Sequence, residues 1–446
     1  MSDSKQVLRL QIERPSYGPQ MIAKRDDGKT ILVEGAMPGD LVEVEILKEH
    51  PRYSEARTLR VLRPSSQRVA QICEYIDICG GCPWAGLDYA DQLSYKRQSL
   101  LDALSHIGKI TAAEQVSTIR PQERTWAYRN KVVFDLSPTC GKLKLGLHAR
   151  RSSRVIPVEH CPLLAPPLQD LPQRLNGALN YLFHGHGDDL LRVQARAALH
   201  LPSFELALWT STAPLDRALL AKVIQDALPR PGLTSLVRVL VNPRRQVRGV
   251  ERLAGSGYWQ ERLAGYGFKV SAPSFFQVNT AAAEGLVEAV MHQVDGLGLA
   301  PDSQVADLFC GVGSFTLPLA KRFAHVVAIE KTASSLQDLR RNLKDNQLGD
   351  KVQVYGDEVG HRLKLEGRYQ LILVDPPRSG LDPAARALLL DARPCYLIYI
   401  SCNPSSLARD LTHFLQDGYR LRQLRPFDLF PQSYHLESLC LLKDSR

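Results

Sequence analysis

From Phe268 to the C-terminus the chain alternates short apolar, β-branched runs with helical stretches, and this pattern narrows the fold more than any other feature. The runs are VADLF, HVVAIE, KVQVYGD, YQLILVDPP and CYLIYISC. Strands of this kind, separated by helices, form a parallel sheet covered on both faces. An amphipathic helix, TAAAEGLVEAVMHQV, leads into them. The last two runs, LRQLRPFDLF and HLESLCLL, are joined too tightly for a crossover helix, so they should end the sheet as an antiparallel hairpin. Ligands of open α/β sheets bind at the carboxyl ends of the strands, so the residues leaving each strand are the candidates for chemistry.

Upstream, residues 1–64 alternate apolar runs with turn signals, Asp27-Gly28 before TILVEG and Pro38-Gly39-Asp40 before LVEVEIL. Several short strands at this spacing suggest an OB-like β-barrel. Such barrels bind oligonucleotides or serve as plain structural modules. Residues 65–267 open with a cysteine cluster and a helix, DYADQLSYKRQSLLDALSHIG, and continue with strand-like runs such as KVVFDL and LRVQARAALHL. They are expected to form an α+β middle domain, and residues 268–446 to hold the sheet. At 446 residues, three domains of this size can each bury a core. No apolar run approaches the ~20 residues that span a bilayer. The start MSDSKQVLRL lacks the basic and apolar regions of a signal peptide. The expectation is a cytoplasmic monomer without a membrane segment.

The net charge of +9, from 56 basic and 47 acidic residues, suits a polyanionic partner such as RNA. It suits a mildly basic enzyme equally well. Arg129, Lys131 and Arg151 exemplify the basic residues that recur in the middle domain. Phe275 and Phe276 could stack on a flipped-out base, with core packing as the plain alternative for one of them.

The first strand ends in Asp307-Leu308-Phe309-Cys310-Gly311-Val312-Gly313 before a helix, and the second ends at Glu330. Glycines let the backbone approach a ligand closely. A carboxylate at Glu330 is placed to accept from ribose hydroxyls. A dinucleotide fold would carry G-x-G-x-x-G, but this loop has Asp and Phe before a short G-x-G. That suits an adenosyl-amino acid, which has no pyrophosphate needing a long Gly-rich cradle. Asp307, Phe309 and Gly311 are therefore candidate contacts for S-adenosylmethionine. Asp357, ending the third strand, is placed to meet the adenine amino group.

The fifth strand ends in Ser401-Cys402-Asn403-Pro404 before another helix. A Cys there should gain thiolate character from the helix terminus. A buried core Cys is the bland alternative. Asp375-Pro376-Pro377-Arg378 ends the preceding strand and should lie beside Cys402. Methyltransferases acting on amino nitrogens commonly place an aromatic after such a Pro-Pro, whereas Arg378 follows here. An available Cys shifts the expectation to carbon methylation. Carbon-5 of uracil is too poor a nucleophile to take a methyl group unaided. A thiolate adding to carbon-6 makes an enolate that can, and a base must then remove the carbon-5 proton. Glu437 is the candidate base, with an exposed strand glutamate as its alternative. A non-catalytic RNA-binding factor that retains the fold is the competitor from another class.

Nine cysteines, an odd number, argue against a disulfide framework. Cys140, Cys395 and Cys440 sit among ordinary neighbours. Cys73, Cys79 and Cys82 cluster, with Cys161 far downstream, a set that could make a zinc site or hold an iron–sulfur cluster.

At this point the chain resembles the RNA uracil-5 methyltransferase family, and in particular its members that modify 23S ribosomal RNA. The resemblance covers nearly the whole chain, through GAMPGDLVEVEI of a TRAM-like barrel, CGGCPWAGLDYADQLSYK, SFFQVN, DLFCGVGSFTLPLA, VDPPRSGL, ISCNPSSLARDL and HLESLCLL. It implies a class I methyltransferase fold, S-adenosylmethionine as donor, Cys402 as nucleophile and Glu437 as base. It carries cofactor contact to Gln277, Phe309, Glu330 and Asp375, and to Ser314 and Asp357, where a relative has Asn. It also implies a [4Fe–4S] cluster on Cys73, Cys79, Cys82 and Cys161. With a thiolate on every iron, no open iron is left for radical chemistry. Barrel and cluster together favour ribosomal over transfer RNA, because the transfer-RNA branch generally lacks both.

Overall fold

The computed structural model describes residues 6–111, 113–139, 142–184, 189–229, 232–360 and 368–446. Cys140 lies outside them. Strands β1 (Val7–Pro15), β2 (Met21–Lys24), β3 (Thr30–Glu34), β4 (Leu41–Glu49) and β5 (Tyr53–Arg63) close a barrel in the order β1-β2-β3-β5-β4. Alternation drives it: in β3, Ile31 and Val33 point inward between less buried neighbours. Trp84 and Leu87, from the segment after the barrel, complete its core, and Tyr434 packs against it.

The middle sheet contains β6 (Lys131–Thr139), β7 (Lys142–His148), β8 (Val155–Pro157), β9 (Leu190–Ala197), β10 (Phe204–Thr210), β11 (Ser235–Val241) and β12 (Val247–Gly255). Their order is β12-β11-β10-β9-β6-β7-β8. Helix α1 (Tyr89–Ala103) precedes the sheet, while α2 (Leu171–Leu182) and α3 (Arg217–Ala227) belong to it and share its main core.

A hairpin, β13 (Trp259–Leu263) and β14 (Tyr266–Val270), and helix α4 (Thr280–Gly296) lead into the C-terminal sheet. Its strands are β15 (Gln304–Leu308), β16 (His325–Ile329), β17 (Val352–Tyr355), β18 (Leu371–Val374), β19 (Tyr396–Ser401), β20 (Tyr419–Phe427) and β21 (Glu437–Asp444). The order is β17-β16-β15-β18-β19-β21-β20. The first five strands run parallel, and β21 inserts antiparallel to both of its neighbours. The central strands, LILV of β18 among them, are buried on both faces as a covered parallel sheet requires. Between and around the strands lie α5 (Thr316–Arg322), α6 (Ala333–Asp345), α7 (Pro383–Ala392) and α8 (Pro404–Gln416). No helix among the described residues is long and apolar enough to cross a membrane.

Two boundaries differ from the sequence expectation. The β13–β14 hairpin straddles residue 267, and its Trp259, Leu263, Phe268 and Val270 pack in the core of the C-terminal sheet. Helix α1, expected in the middle domain, packs there too. Its Leu93, Leu100 and Ala103 join Leu407, Leu411 and Phe414 of α8 in one cluster. An apolar stripe says only that a helix face is covered, not which sheet covers it.

Helix α1 also clamps the loop between β20 and β21. Lys96, fully buried, donates to Asp428 Oδ1 at 2.7 Å and to the Phe430 carbonyl at 3.0 Å, while the Tyr89 hydroxyl donates to Asp428 Oδ2 at 3.0 Å. Gln92 and Gln432 exchange hydrogen bonds at 3.0 and 2.9 Å. Asp428→Ala would strand the Lys96 ammonium in the interior and should cost about 3–5 kcal/mol, measured by urea unfolding. A loss under about 1 kcal/mol would mean that the pair is not buried as described.

Candidate active site

The strand register assembles the site. Leu308 of β15 pairs with Ile329 of β16 and with Val374 of β18, so Phe309, Glu330 and Asp375 leave the sheet at one level. Ser401 of β19 pairs with Ser438 of β21. One step further along that antiparallel register lie Cys402 and Glu437. These four strand ends open into a cavity of about 660 Å³. Gln277, Phe309, Gly311, Ser314, Glu330, Asp357, Asp375, Cys402 and Glu437 all line it.

The loop after β15 is held in unusual backbone geometry. Phe309 has φ +63°, a left-handed conformation that a bulky residue adopts only under constraint. Gly313, at φ +101°, could not carry a Cβ, which would meet Leu317 and Leu339 at 2.6 and 2.7 Å. The Glu330 carboxylate is pinned by the Gly311 N–H at 3.1 Å and the Thr332 N–H at 2.7 Å. Its remaining lone pairs can take ribose hydroxyls. Gln277 Oε1 is buried at the cavity wall without a hydrogen-bond partner. An unmatched acceptor there suits an ammonium group of an amino-acid moiety. The Gln277 backbone is itself fixed by Asn130, whose Nδ2 donates to the Gln277 carbonyl at 3.0 Å.

Asp307 is not in the wall. It lies fully buried beneath the loop and accepts from the Thr316 hydroxyl at 2.5 Å. Burial, with Asp375 and Glu330 nearby, raises its pKa to about 7. It shapes the loop rather than facing the cavity, a distinction that position at a strand end does not reveal.

Charge dominates the cavity. Six carboxylates, Glu330, Asp357, Glu358, Asp375, Asp382 and Glu437, face two cations, Lys331 and Arg378. Burial raises Asp375 to about 7 and pushes Glu437 well above the usual carboxylate range, the latter with help from Asp375. Cys402 is pushed up to about 12 by burial and by Glu437 and Asp375, with Arg378 opposing. The thiolate expected from the helix terminus is therefore not the resting form. The Asn403 side chain caps α8 by accepting from the Ser405 N–H at 3.0 Å, and burial, with two neighbouring carboxylates, prevails over any help from the helix terminus.

At the mouth, Arg378 Nη2 lies 3.3 Å from His435 Nδ1. Burial, then Arg378, Lys96 and Arg129, lower His435 to about 4, so it is neutral and can accept. Phe275 is 63 % exposed, whereas Phe276 is 3 % exposed and packs edge-on against Trp259. Phe275 alone is free to stack. Among the basic candidates, Arg151 is paired with Glu55 of the barrel at 2.6 Å and Arg129 Nε donates to the Lys131 carbonyl at 3.0 Å. Burial lowers Lys131 to about 7, with Arg196 and Arg129 adding to the effect. These three are not simple surface charges.

The sequence reading missed Tyr17. This barrel residue donates its hydroxyl to the Cys402 carbonyl at 3.1 Å, a contact between positions too distant in the chain for any local signal.

Cys73, Cys79, Cys82 and Cys161 are free and partly buried, and they share one neighbourhood. Burial raises the Cys82 thiol, and Cys161, Cys79 and Cys73 add to it electrostatically. Among the described residues, no three His, Cys, Asp or Glu side chains stand close enough to hold a metal ion. Of the other described cysteines, Cys310 and Cys440 are buried and Cys395 lies partly buried just before β19.

Comparison with known proteins follows the same lines. Residues 260–358 and 360–445 match the tRNA (uracil-5-)-methyltransferase family, and residues 4–59 match the TRAM domain. An uncharacterized RNA methyltransferase of Thermosynechococcus vestitus is 31 % identical over 98 % of each chain. A 23S rRNA (uracil(1939)-C(5))-methyltransferase of Shewanella halifaxensis is 31 % identical over 94 % of this chain and 91 % of its own. The crystal structure of Pyrococcus abyssi tRNA (uracil-54, C5)-methyltransferase in complex with S-adenosyl-L-homocysteine superposes with a TM-score of 0.74 at 22 % identity. It covers 98 % of this chain and 100 % of its own. That likeness extends through the barrel, the middle domain and the C-terminal sheet.

A cation entering this cavity favours the ionised form of Asp375, so its binding releases protons. Affinity for S-adenosylmethionine should rise with pH up to about 7 and level off above. Asp375→Asn should flatten that dependence. Calorimetry in buffers of different ionisation enthalpy reads both effects, and a pH-independent affinity of the unaltered protein would contradict the assignment.

Proposed function

The chain belongs to the RNA uracil-5-methyltransferase family, and from that premise we propose that it methylates carbon-5 of one uridine in 23S ribosomal RNA through a covalent Cys402 adduct. The observation that carries the mechanism is that Cys402, Glu437 and Asp375 line the same cavity as the donor-type loop. When bound, S-adenosylmethionine supplies an electrophilic methyl group and a positive charge. The residues that would hold it are Gln277, Phe309, Gly311, Ser314, Glu330 and Asp357, with Asp375 toward the sulfonium.

The chain's own residues do the rest. Burial, with Glu437 and Asp375 beside it, favours the protonated form of Cys402, so the thiol needs a base to react. Sγ bonds to carbon-6 of the uracil as the Cys402 proton passes to the ionised carboxylate of Asp375, whose charge acts on this thiol. The electron pair of the 5,6 double bond moves to carbon-5, which takes the methyl group. Glu437 then removes the carbon-5 proton, the double bond re-forms and Sγ leaves. A carboxylate whose pKa is raised by burial is a stronger base once ionised, which suits Glu437 to this step. Arg378 offsets the negative charge that develops on the ring. Phe275 stands at the mouth, where it can stack on a neighbouring base when the target uridine leaves its helix.

The choice of 23S ribosomal RNA rests on the named relatives. A transfer-RNA substrate is the second reading, favoured by the Pyrococcus abyssi likeness. Offering both RNAs from a strain lacking the gene, and mapping 5-methyluridine in the products, separates them. Methylated adenine or guanine would reject carbon methylation altogether.

We further assign Cys73, Cys79, Cys82 and Cys161 as ligands of a [4Fe–4S] cluster, on the family resemblance and on the grouping of the four thiols. The cluster would supply a cross-link rather than a reaction step. The Trp84 N–H, two residues past Cys82, donates to the Gln432 carbonyl at 3.1 Å, so this segment braces the loop that leads to Glu437.

Three outcomes follow. Cys402→Ala should reduce methyl transfer below about 10⁻³ of the unaltered rate while S-adenosylmethionine still binds. Glu437→Gln should turn over about 10²–10⁴-fold more slowly and accumulate a protein–RNA adduct on denaturing gels. Cys82→Ala should lose the broad visible absorption and the iron found in anaerobically prepared protein, and iron-free wild-type protein would reject the cluster.

A further inference from the structure

The barrel is joined to the rest of the chain by more than a linker. Tyr17 sits in the turn between β1 and β2, a turn tied by Ser16, whose N–H and hydroxyl donate to the Gln20 carbonyl at 2.9 and 2.7 Å. From this turn the Tyr17 side chain crosses to the C-terminal sheet. Its ring meets Tyr434 edge-on, with centroids 5.9 Å apart at 83°. Its hydroxyl donates to the Cys402 carbonyl at 3.1 Å.

That carbonyl belongs to the Cys402–Asn403 peptide group, and the other end of the same group is also held. The Asn403 N–H donates to Ser401 Oγ at 3.2 Å. Beyond it, Asn403 Nδ2 donates to the Arg378 carbonyl at 3.0 Å and Asn403 Oδ1 caps α8. Tyr17 is the barrel's part of this framework; the other partners named here all come from the C-terminal sheet. With both ends of a peptide plane fixed, rotation about it is blocked, and the Cys402 Cα–Cβ vector takes one direction. Burial raises the phenol pKa, so the hydroxyl keeps the proton it donates.

We propose that Tyr17 is a positioning residue for the nucleophile, so that the barrel completes the active site in addition to any part it takes in holding RNA. This rests on the reading of Cys402 as the nucleophile. A group that holds Sγ in line with carbon-6 acts on the bond-forming step and not on RNA capture. The Tyr434 contact extends the same clamp toward β21, since Tyr434 is three residues from Glu437.

The test uses the full-length protein and RNA carrying 5-fluorouridine at the target, on which the adduct forms but cannot be resolved because fluorine does not leave as a cation. Tyr17→Phe keeps the ring and removes the donor. It should slow adduct formation at saturating RNA by roughly threefold to tenfold, the worth of one hydrogen bond. The KM for RNA, the affinity for S-adenosylmethionine and the melting temperature should stay as in the unaltered protein. Tyr17→Ala should slow the step further, because the Tyr434 contact goes as well. An unchanged rate constant in Tyr17→Phe, or a change confined to KM, would overturn the proposal. Wild-type protein that methylates no uridine and forms no adduct would overturn the parent reading instead, and this control is run first.

Discussion

One register holds the site together. Strand β21 inserts antiparallel between β19 and β20, and the pairing of Ser401 with Ser438 brings Glu437 beside Cys402. A parallel β21 would deliver Glu437 to the opposite edge of the sheet. A slip of one residue would turn it to the other face. The parallel strands do the complementary work, since β15, β16 and β18 end at one level and release Phe309, Glu330 and Asp375 there. The loop that carries the chain into β21 has little regular structure of its own. It is held from outside by α1, through the buried Lys96–Asp428 pair and the Gln92–Gln432 exchange. Remote elements therefore support the position of Glu437 beside Cys402.

The electrostatics of the cavity give this geometry a chemical direction. Burial disfavours negative charge on Cys402, Asp375 and Glu437, and neighbouring carboxylates add to the effect at Cys402 and Glu437. A sulfonium donor relieves that strain, whereas its neutral thioether product does not. The same arrangement thus favours entry of the donor and departure of the product. Low dielectric in the cavity strengthens each of these couplings.

Much of the C-terminal sheet was legible in the chain because apolar runs, helices and turn residues alternate with a clear period there. The antiparallel ending followed from a connection too short for a crossover. Cys402 and the donor-loop residues stood out because strand ends are where such sheets bind ligands, whereas Glu437 stood out only through the family resemblance, and all of them line one cavity. What escaped has one cause: periodicity reports that a face is buried but not against what. Helix α1 looked like a part of the middle domain and packs with α8. Asp307 looked like a cavity residue and lies beneath the loop, held by Thr316. The helix terminus suggested an acidified Cys402 thiol, but burial raises it, and so do two carboxylates that come from other strands. Tyr17 carries no motif at all, and only folding brings the barrel turn to Cys402.

The most direct measurement is peptide mapping by mass spectrometry after incubation with S-adenosylmethionine and target RNA containing 5-fluorouridine. The account predicts a single modified peptide, with the 5-fluoro-5-methyl pyrimidine bonded through carbon-6 to the sulfur of Cys402. A methylated RNA product from the natural substrate, with no adduct on the fluorinated one or with the adduct on another residue, would contradict it.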